Sequence, residues 1–491
     1  MIAERLATPW TPGAGLYSLP GSLVVTLRLG EAPEAIPSQI DVRSRAAVPA
    51  VKFGCGQIDR MIRNFANGAL ISRVHAASAS LGQRGKNHQK FNDHEVMSGV
   101  SRTFRLDVDP GTPIGRLISA LNEVPIVEHA SPNYLTSAPF EAPSGVTPAT
   151  TPPAPPISIE QAWESRDLLF AREAMAYETG DSGTIVAIID CGISPQHPEM
   201  ANRFRAGYDT VQLGSGDFAT GVKLLGDVAH ADNKPIDRFV GHGMGCAGII
   251  GAIGSEIPPG LAGDCPLLPV RVLGAAQLPG KRNPVGLGAI SDIDMGLKMA
   301  VDLGATVLNM SFGTAESSLE PGVPKPHADV VRYALDRGCV LVAASGNSGQ
   351  EEVYWPAAYD GVIAVGSVGA DGKPSHFSTR GNHVAVSATG ERVVTCALNG
   401  YQLATGTSFA APFVSAAAAL LVSRARRRSY ALGSEGVRRL LSETATPWPN
   451  KEITGYGSGI LNAAAALAAL DREVDSSPPA ELEPDAPDYL Q

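Results

Sequence analysis

Thr184-Ile185-Val186-Ala187-Ile188-Ile189-Asp190 (TIVAIID) is an unbroken run of apolar and β-branched residues closed by a carboxylate. A strand with one wet face alternates apolar and polar side chains. A continuous apolar run belongs to a strand buried on both faces, which is the habit of parallel sheets. The pattern returns at Thr306–Met310 (TVLNM), Val340–Ala344 (VLVAA) and Val362–Val365 (VIAV). Helical stretches lie between these runs, at Ser291–Leu303 and Ala328–Arg337 among others. Strands alternating with helices predict an α/β fold, a parallel sheet covered by helices on both faces, over residues 159–471. Ligand sites in such sheets lie beyond the carboxyl ends of the strands, where Asp190 sits.

The flanking segments differ in composition. Residues 1–135 read as a small α+β domain. Strands are expected at Ser22–Gly30, at Thr103–Asp109 and within VPIVEHASPNYL, and helices around Gln57–Ser78 and at Pro113–Glu123. Residues 136–158 (TSAPFEAPSGVTPATTPPAPPIS) hold seven prolines and read as an extended linker. Residues 472–491 are acidic and contain prolines, and read as a disordered tail.

At 491 residues the chain is too long for one ordinary core. A net charge of −10 and a pI of about 5.5 argue against a nucleic-acid partner. No apolar run approaches the roughly 20 residues of a membrane span. The first residues, MIAERLATPWTPGAGLYSL, lack the pattern of a secretory signal, which makes the cytoplasm the default location and leaves export open. Six cysteines, at 55, 191, 246, 265, 339 and 396, form neither a disulfide framework nor a zinc cluster, and are read as isolated thiols.

Three short motifs carry chemistry. Asp190 ends its strand and is followed by Cys191 and Gly192; taken alone it could equally be a structural carboxylate. Gly241-His242-Gly243 opens a helix of small residues, where glycine flanks leave an imidazole accessible or merely capping. Gly406-Thr407-Ser408-Phe409-Ala410-Ala411-Pro412 leads into FVSAAAALLVSRA. A serine at a helix start is ordinarily a cap. A glycine turn, small residues and a proline in the first turns instead suit a hydroxyl projected into a cleft, where the helix N-terminus stabilises an oxyanion.

In their order, TIVAIIDCGISPQHPEM, GHGMGCAGIIG and TGTSFAAPFVSAAAALL resemble the motifs of the subtilisin-like serine proteases, or subtilases, over about residues 159–470. The resemblance implies a subtilisin-like fold and a serine endopeptidase with Asp190, His242 and Ser408 as triad, hydrolysing a protein or peptide substrate through an acyl-enzyme. It makes Asn347, in AASGNSG, the side-chain donor to the oxyanion. It makes LNMSFG, with Ser311, Phe312 and Gly313, the stretch that binds substrate. Cys191 and Met244 depart from the family, which commonly has Thr or Ser after the Asp and Thr two residues after the His. No cofactor is required. The family's calcium loops find no residue-by-residue match, and Asp227, Asp232 and Asp237 could serve calcium or simply be solvated. SRTFRLDVD, a helix, then VPIVEHASPNYL resembles the end of a subtilase propeptide, with residues 31–100 as an elaboration. That likeness implies a proenzyme inhibited by its own N-terminal domain; the alternative is a permanent targeting or dimerising module. His197 and His230 are read as surface residues, and Arg424–Arg428 as partners of their own helix end. Two rivals remain: a catalytically silent fold used for binding, and a dedicated processing protease.

Overall fold

The computed structural model describes residues 18–78, 91–138, 158–214, 221–319 and 322–476. The stretch 139–157, most of the expected linker, and the tail beyond Ser476 lie outside them.

The N-terminal segment comprises β1 (Ser18–Leu27), α1 (Gln39–Arg43), α2 (Gly56–Ala66), β2 (Leu70–Arg73), α3 (Asp93–Ser98), β3 (Thr103–Asp107), α4 (Ile114–Asn122) and β4 (Val127–Ala138). Its strands pair antiparallel in the order β2-β3-β1-β4, with Val25 between Phe104 and Ala130. Alternate residues of these strands pack on Ile58 and Ile62 of α2 and on Leu117 and Leu121 of α4. The helix expected over 57–78 stops at Ala66. Asn67 turns left-handed there (φ 54°), and the chain returns as β2.

The larger body follows with α5 (Ile159–Asp167), α6 (Ala171–Tyr177), β5 (Val186–Asp190), β6 (Tyr208–Asp209), β7 (Lys223–Leu225), α7 (His242–Gly251), β8 (Leu267–Arg271), β9 (Gly274–Gln277) and β10 (Val285–Ala289). Next come α8 (Ile290–Asp302), β11 (Val307–Met310), β12 (Thr314–Ala315), α9 (Ala328–Asp336), β13 (Val340–Ala344), β14 (Tyr354–Trp355), β15 (Val362–Val368) and β16 (Val384–Thr389). The chain closes with β17 (Val393–Cys396), β18 (Tyr401–Ala404), α10 (Thr407–Arg427), α11 (Ser434–Glu443) and α12 (Ala463–Ser476). The expected parallel sheet is present, in the order β16-β15-β13-β11-β5-β8-β6. Helices α7, α10, α11 and α12 cover one face, and α8 and α9 the other. Helix α10 is long and apolar enough to cross a membrane, but 94% of that stretch is buried inside the fold, so it is a core helix.

Strand β4 does not stop at residue 135. Thr136, Ser137 and Ala138 continue it because they meet β10, with Leu135 opposite Ala289 and Ala138 opposite Gly286. The result is a seven-stranded sheet, β2-β3-β1-β4-β10-β9-β7, running from the N-terminal segment into the body. Buried ion pairs reinforce the junction. Arg43 of α1 and Arg105 of β3 both reach Asp292 of α8 (3.1 and 3.0 Å), and Glu95 of α3 pairs with Lys298 (2.6 Å). Asn133 supplies α8 with the cap its own Ala289 cannot give, accepting from Ser291 N–H at 3.2 Å. The elaboration at residues 31–100 thus carries two of the interface's charged anchors.

Three further sequence expectations need correction. His197 is buried, its Nε2 2.7 Å from Gly400 O and its ring edge-on to Tyr401, because the turn it opens tucks under the β17–β18 hairpin. Arg424 and Arg428 bind Asp471 (2.7 and 3.1 Å), pinning α10 to α12. Residues 472–476 belong to α12, where Arg439 and Arg428 engage Glu473 and Asp475. His230 is exposed beside Asp227, as expected.

Candidate active site

Asp190 is the last residue of β5 and has no solvent exposure. One carboxylate oxygen accepts the Cys191 N–H at 2.7 Å, and both lie 2.9 Å from Nδ1 of His242. His242 is the first residue of α7, directly after Gly241. The approach is close because residue 243 is glycine: a Cβ there would stand 2.6 Å from Gly192 O and 3.0 Å from the Asp190 Cβ. Thr395 and Gln402, on the β17–β18 hairpin, bond Gly245 O and Gly241 O and hold the start of α7 in place.

Ser408 is the second residue of α10. Pro412 explains part of the motif. It has no N–H, so the Ser408 carbonyl lacks its helical partner. The Ser311 hydroxyl takes that place at 2.8 Å, and the Cys246 thiol lies 3.5 Å away. Cys246, one turn after His242, also lies 3.9 Å from Asp190 Oδ2, and the His242 and Phe409 rings are 5.0 Å apart. The three predicted residues therefore converge. The Ser408 hydroxyl donates to Ser311 O at 3.2 Å, and His242 Nε2 is buried with no hydrogen-bond partner among the described residues.

Asn347 lies beside this turn. Its Oδ1 accepts from both the N–H and the hydroxyl of Thr407 (3.0 and 2.9 Å). With the oxygen pinned, the planar amide must direct Nδ2 the other way. Ser311 is buried. Phe312 turns its ring into the core against His327, 5.7 Å between centroids, so only its backbone is free to meet a ligand. Gly313 O accepts from the Thr136 hydroxyl at 3.1 Å, and Thr136 and Thr314 bond each other. The end of β4 thus lies between β10 and Gly313.

The acidic residues near 227–237 are engaged by backbone N–H groups. Asp227 accepts from the N–H groups of Ala229 and His230, and Asp232 from that of Lys234. Asp237 accepts from those of Phe239, Val240 and Gly241. A cavity of about 250 Å³ among them is lined also by Arg271, whose guanidinium engages Asp209 and Asp227 O. Burial pushes the Asp209 carboxyl up to about 7 despite that partner. Asp190, His242 and Cys246 also bring their ligating atoms within 4.8 Å of one another, a grouping internal to the site already described. Burial, with Asp190 nearby, pushes the Cys246 thiol well above its usual range, so it stays protonated.

Residues 181–468 match the Subtilase family (peptidase S8). The chain is 33% identical over 346 residues to a thermophilic serine proteinase of Bacillus sp. (strain AK1), covering 70% of this chain and 72% of that protein. It is 32% identical over 282 residues to thermitase of Thermoactinomyces vulgaris, covering 56% and 88%. Among solved structures, a protease of Pseudoalteromonas arctica superposes with a TM-score of 0.53 at 25% identity, over 64% of this chain and 98% of that one.

Proposed function

The chain belongs to the subtilase family and is a serine endopeptidase; from that premise we propose that Asp190, His242 and Ser408 are its catalytic triad and that it is made as a self-inhibited proenzyme. The observation that carries the triad is the pair of 2.9 Å contacts from Asp190 to His242 Nδ1, with Nε2 having no partner among the described residues. In the working state the Ser408 hydroxyl leaves Ser311 O for Nε2, gives up its proton there, and attacks the peptide carbonyl. Asp190 holds the imidazole in the required tautomer and stabilises it once charged. Asn347 Nδ2 and the Ser408 N–H receive the developing oxyanion. His242 then protonates the leaving amine, and a water activated by the same imidazole releases the acyl group.

Self-inhibition is supported by the course of β4. Its last residues lie along β10 and touch Gly313. A substrate bound by strand addition would take that same place as an extended strand. A fluorophosphonate probe should label wild-type protein at Ser408 and leave Ser408→Ala unlabelled. Intact mass should show wild-type chain cut between residues 139 and 165, beyond the paired end of β4, and Ser408→Ala whole. A wild type that is unlabelled even after the segment has been cut away by an added protease would favour the silent binding module. A fully active wild type that stays whole would make the N-terminal segment a permanent part.

A further inference from the structure

Helix α7 has no side-chain cap of its own: Gly241 precedes His242 with φ 78° and no side chain. The position of His242 must therefore be set from outside the helix. Thr395 and Gln402 contact the start of α7 from the β17–β18 hairpin, and two further residues, from the loops that carry Asp190 and His242, reach it as well.

Asp237 is buried and gathers the loop that leads into α7. Its Oδ1 accepts from the N–H groups of Phe239 and Val240 (2.9 and 3.0 Å), and its Oδ2 from that of Gly241 at 2.6 Å. The same Oδ2 lies 3.2 Å from the Cys191 thiol, which donates to it. Cys191 directly follows Asp190, and its N–H is the one that bonds Asp190 Oδ1. Its sulfur also accepts from the Gly243 N–H at 3.4 Å. One thiol thus reaches the residue before His242 through Asp237 and the residue after it directly, while its own backbone holds the partner carboxylate. Gly192 makes room: at φ 103°, a Cβ there would stand 2.7 Å from Pro235 O and 3.1 Å from Asp237 N. Backbone bonds tie the same loops, from Asp237 N to Ile193 O (2.9 Å) and from Ile193 N to Pro235 O (2.9 Å).

We propose that Cys191 and Asp237 are a pair of positioning residues that fix His242 against Asp190, coupling the two loops through the thiol–carboxylate hydrogen bond. Neither touches the reacting atoms. The arrangement requires a protonated thiol, and burial beside Asp237 and Asp190 raises the Cys191 thiol well above its ordinary range. A hydroxyl could donate to Asp237 in the same way, whereas a methyl group could not.

The proposal rests on the triad reading, and the test separates the two. Fluorophosphonate labelling of wild type decides the triad. For the pair, Asp237→Asn, Cys191→Ala and Cys191→Ser are compared by steady-state kinetics. The His242 Nδ1 proton is followed by NMR in the full chain carrying Ser408→Ala, a readout that needs no turnover. Asp237→Asn should lower kcat roughly 10- to 100-fold with KM within twofold, since a displaced imidazole spoils proton transfer rather than binding. Cys191→Ala should lower kcat by about 3- to 10-fold, and Cys191→Ser should restore it to within about threefold of wild type. In Asp237→Asn and Cys191→Ala the Nδ1 proton resonance should move or broaden, and in Cys191→Ser it should return towards the wild-type position. Wild-type kcat and an unmoved resonance in Asp237→Asn, even with a lowered Tm, would overturn the proposal and leave Asp237 a structural turn residue. Equal losses in Cys191→Ala and Cys191→Ser would also overturn it, because the effect would then follow sulfur volume and not the donated hydrogen bond.

Discussion

Asp190, on the floor of the candidate cleft, and Asp292, at the junction with the N-terminal segment, are both sealed from solvent, and they are held in opposite ways. Asp190 faces one imidazole, His242, one peptide N–H and, at 3.9 Å, the Cys246 thiol. Asp292 faces two guanidiniums, Arg43 and Arg105, together with the Gln212 N–H at 2.7 Å. Burial pushes the Asp292 carboxyl upward, and the two arginines pull it back. A carboxylate beside a titratable ring can follow a moving charge. One between two permanent cations fastens two pieces of chain together. On the proposed reading, the same side chain serves turnover in one region and attachment in the other.

The sharpest way to break this comparison is to remove the nucleophile. Ser408→Ala should cut kcat by roughly 10⁴- to 10⁶-fold, while Tm and the docking of the N-terminal segment stay as in wild type. Unchanged hydrolysis would show that the Asp190 region is not the catalytic one. Asn347→Ala should lower kcat roughly 10²- to 10³-fold with little change in KM if its amide acts on the oxyanion as proposed. A change confined to KM would assign it to substrate binding. Asp292→Ala should act on the other region. It strands Arg43 and Arg105 in the interface, a loss of about 3–5 kcal/mol for a broken buried pair. After the stretch 139–157 is nicked by an added protease, the variant's N-terminal segment should elute apart from the body in gel filtration, where wild type stays together. Co-elution of the variant would show that the shared sheet alone suffices.

The smallest effect expected is one of pH. Asp329 of α9 packs against Gly99 of the N-terminal segment; a Cβ at Gly99 would lie 2.6 Å from its carboxyl carbon. Burial raises Asp329 from 3.8 to about 6, with Arg102 and Arg332 opposing and Asp294 and Glu128 adding to the rise. A carboxyl raised in the docked state binds its proton there more tightly than when free. Its contribution to docking is therefore full below pH 4 and lost as pH rises through about 6. Affinity for the nicked segment should fall roughly tenfold between pH 4 and 7, and Asp329→Asn should flatten that slope. An equal slope in the variant would place the titration elsewhere.

The two regions were not equally legible in the sequence. The motifs around Asp190, His242 and Ser408 could be read because each is fixed by its neighbours along the chain: a strand end, a glycine-flanked helix start, and a helix with Pro412 six residues in. The interface offered no such signal. Arg43 and Asp292 are 249 residues apart and Asn133 and Ser291 158, so nothing local announces either contact. The continuation of β4 to Ala138 was hidden for the same reason, because Thr136 to Ala138 have little strand character until β10 lies beside them. The link from Cys191 to Asp237 needed the fold as well. The sequence shows Cys191 beside the triad, but not that its thiol reaches a second carboxylate.

The sheet that crosses the junction gives up four of its seven strands if residues 18–138 depart, and β10 becomes its edge. An edge of unpaired N–H and C=O groups accepts any extended chain, not only a substrate. Two bodies stripped of the segment could meet β10 to β10 as readily as either meets a peptide. The stripped enzyme therefore acquires a colloidal liability that the intact chain lacks. Light scattering should rise with its concentration, and a slowly cleaved peptide should suppress that rise by competing for the edge.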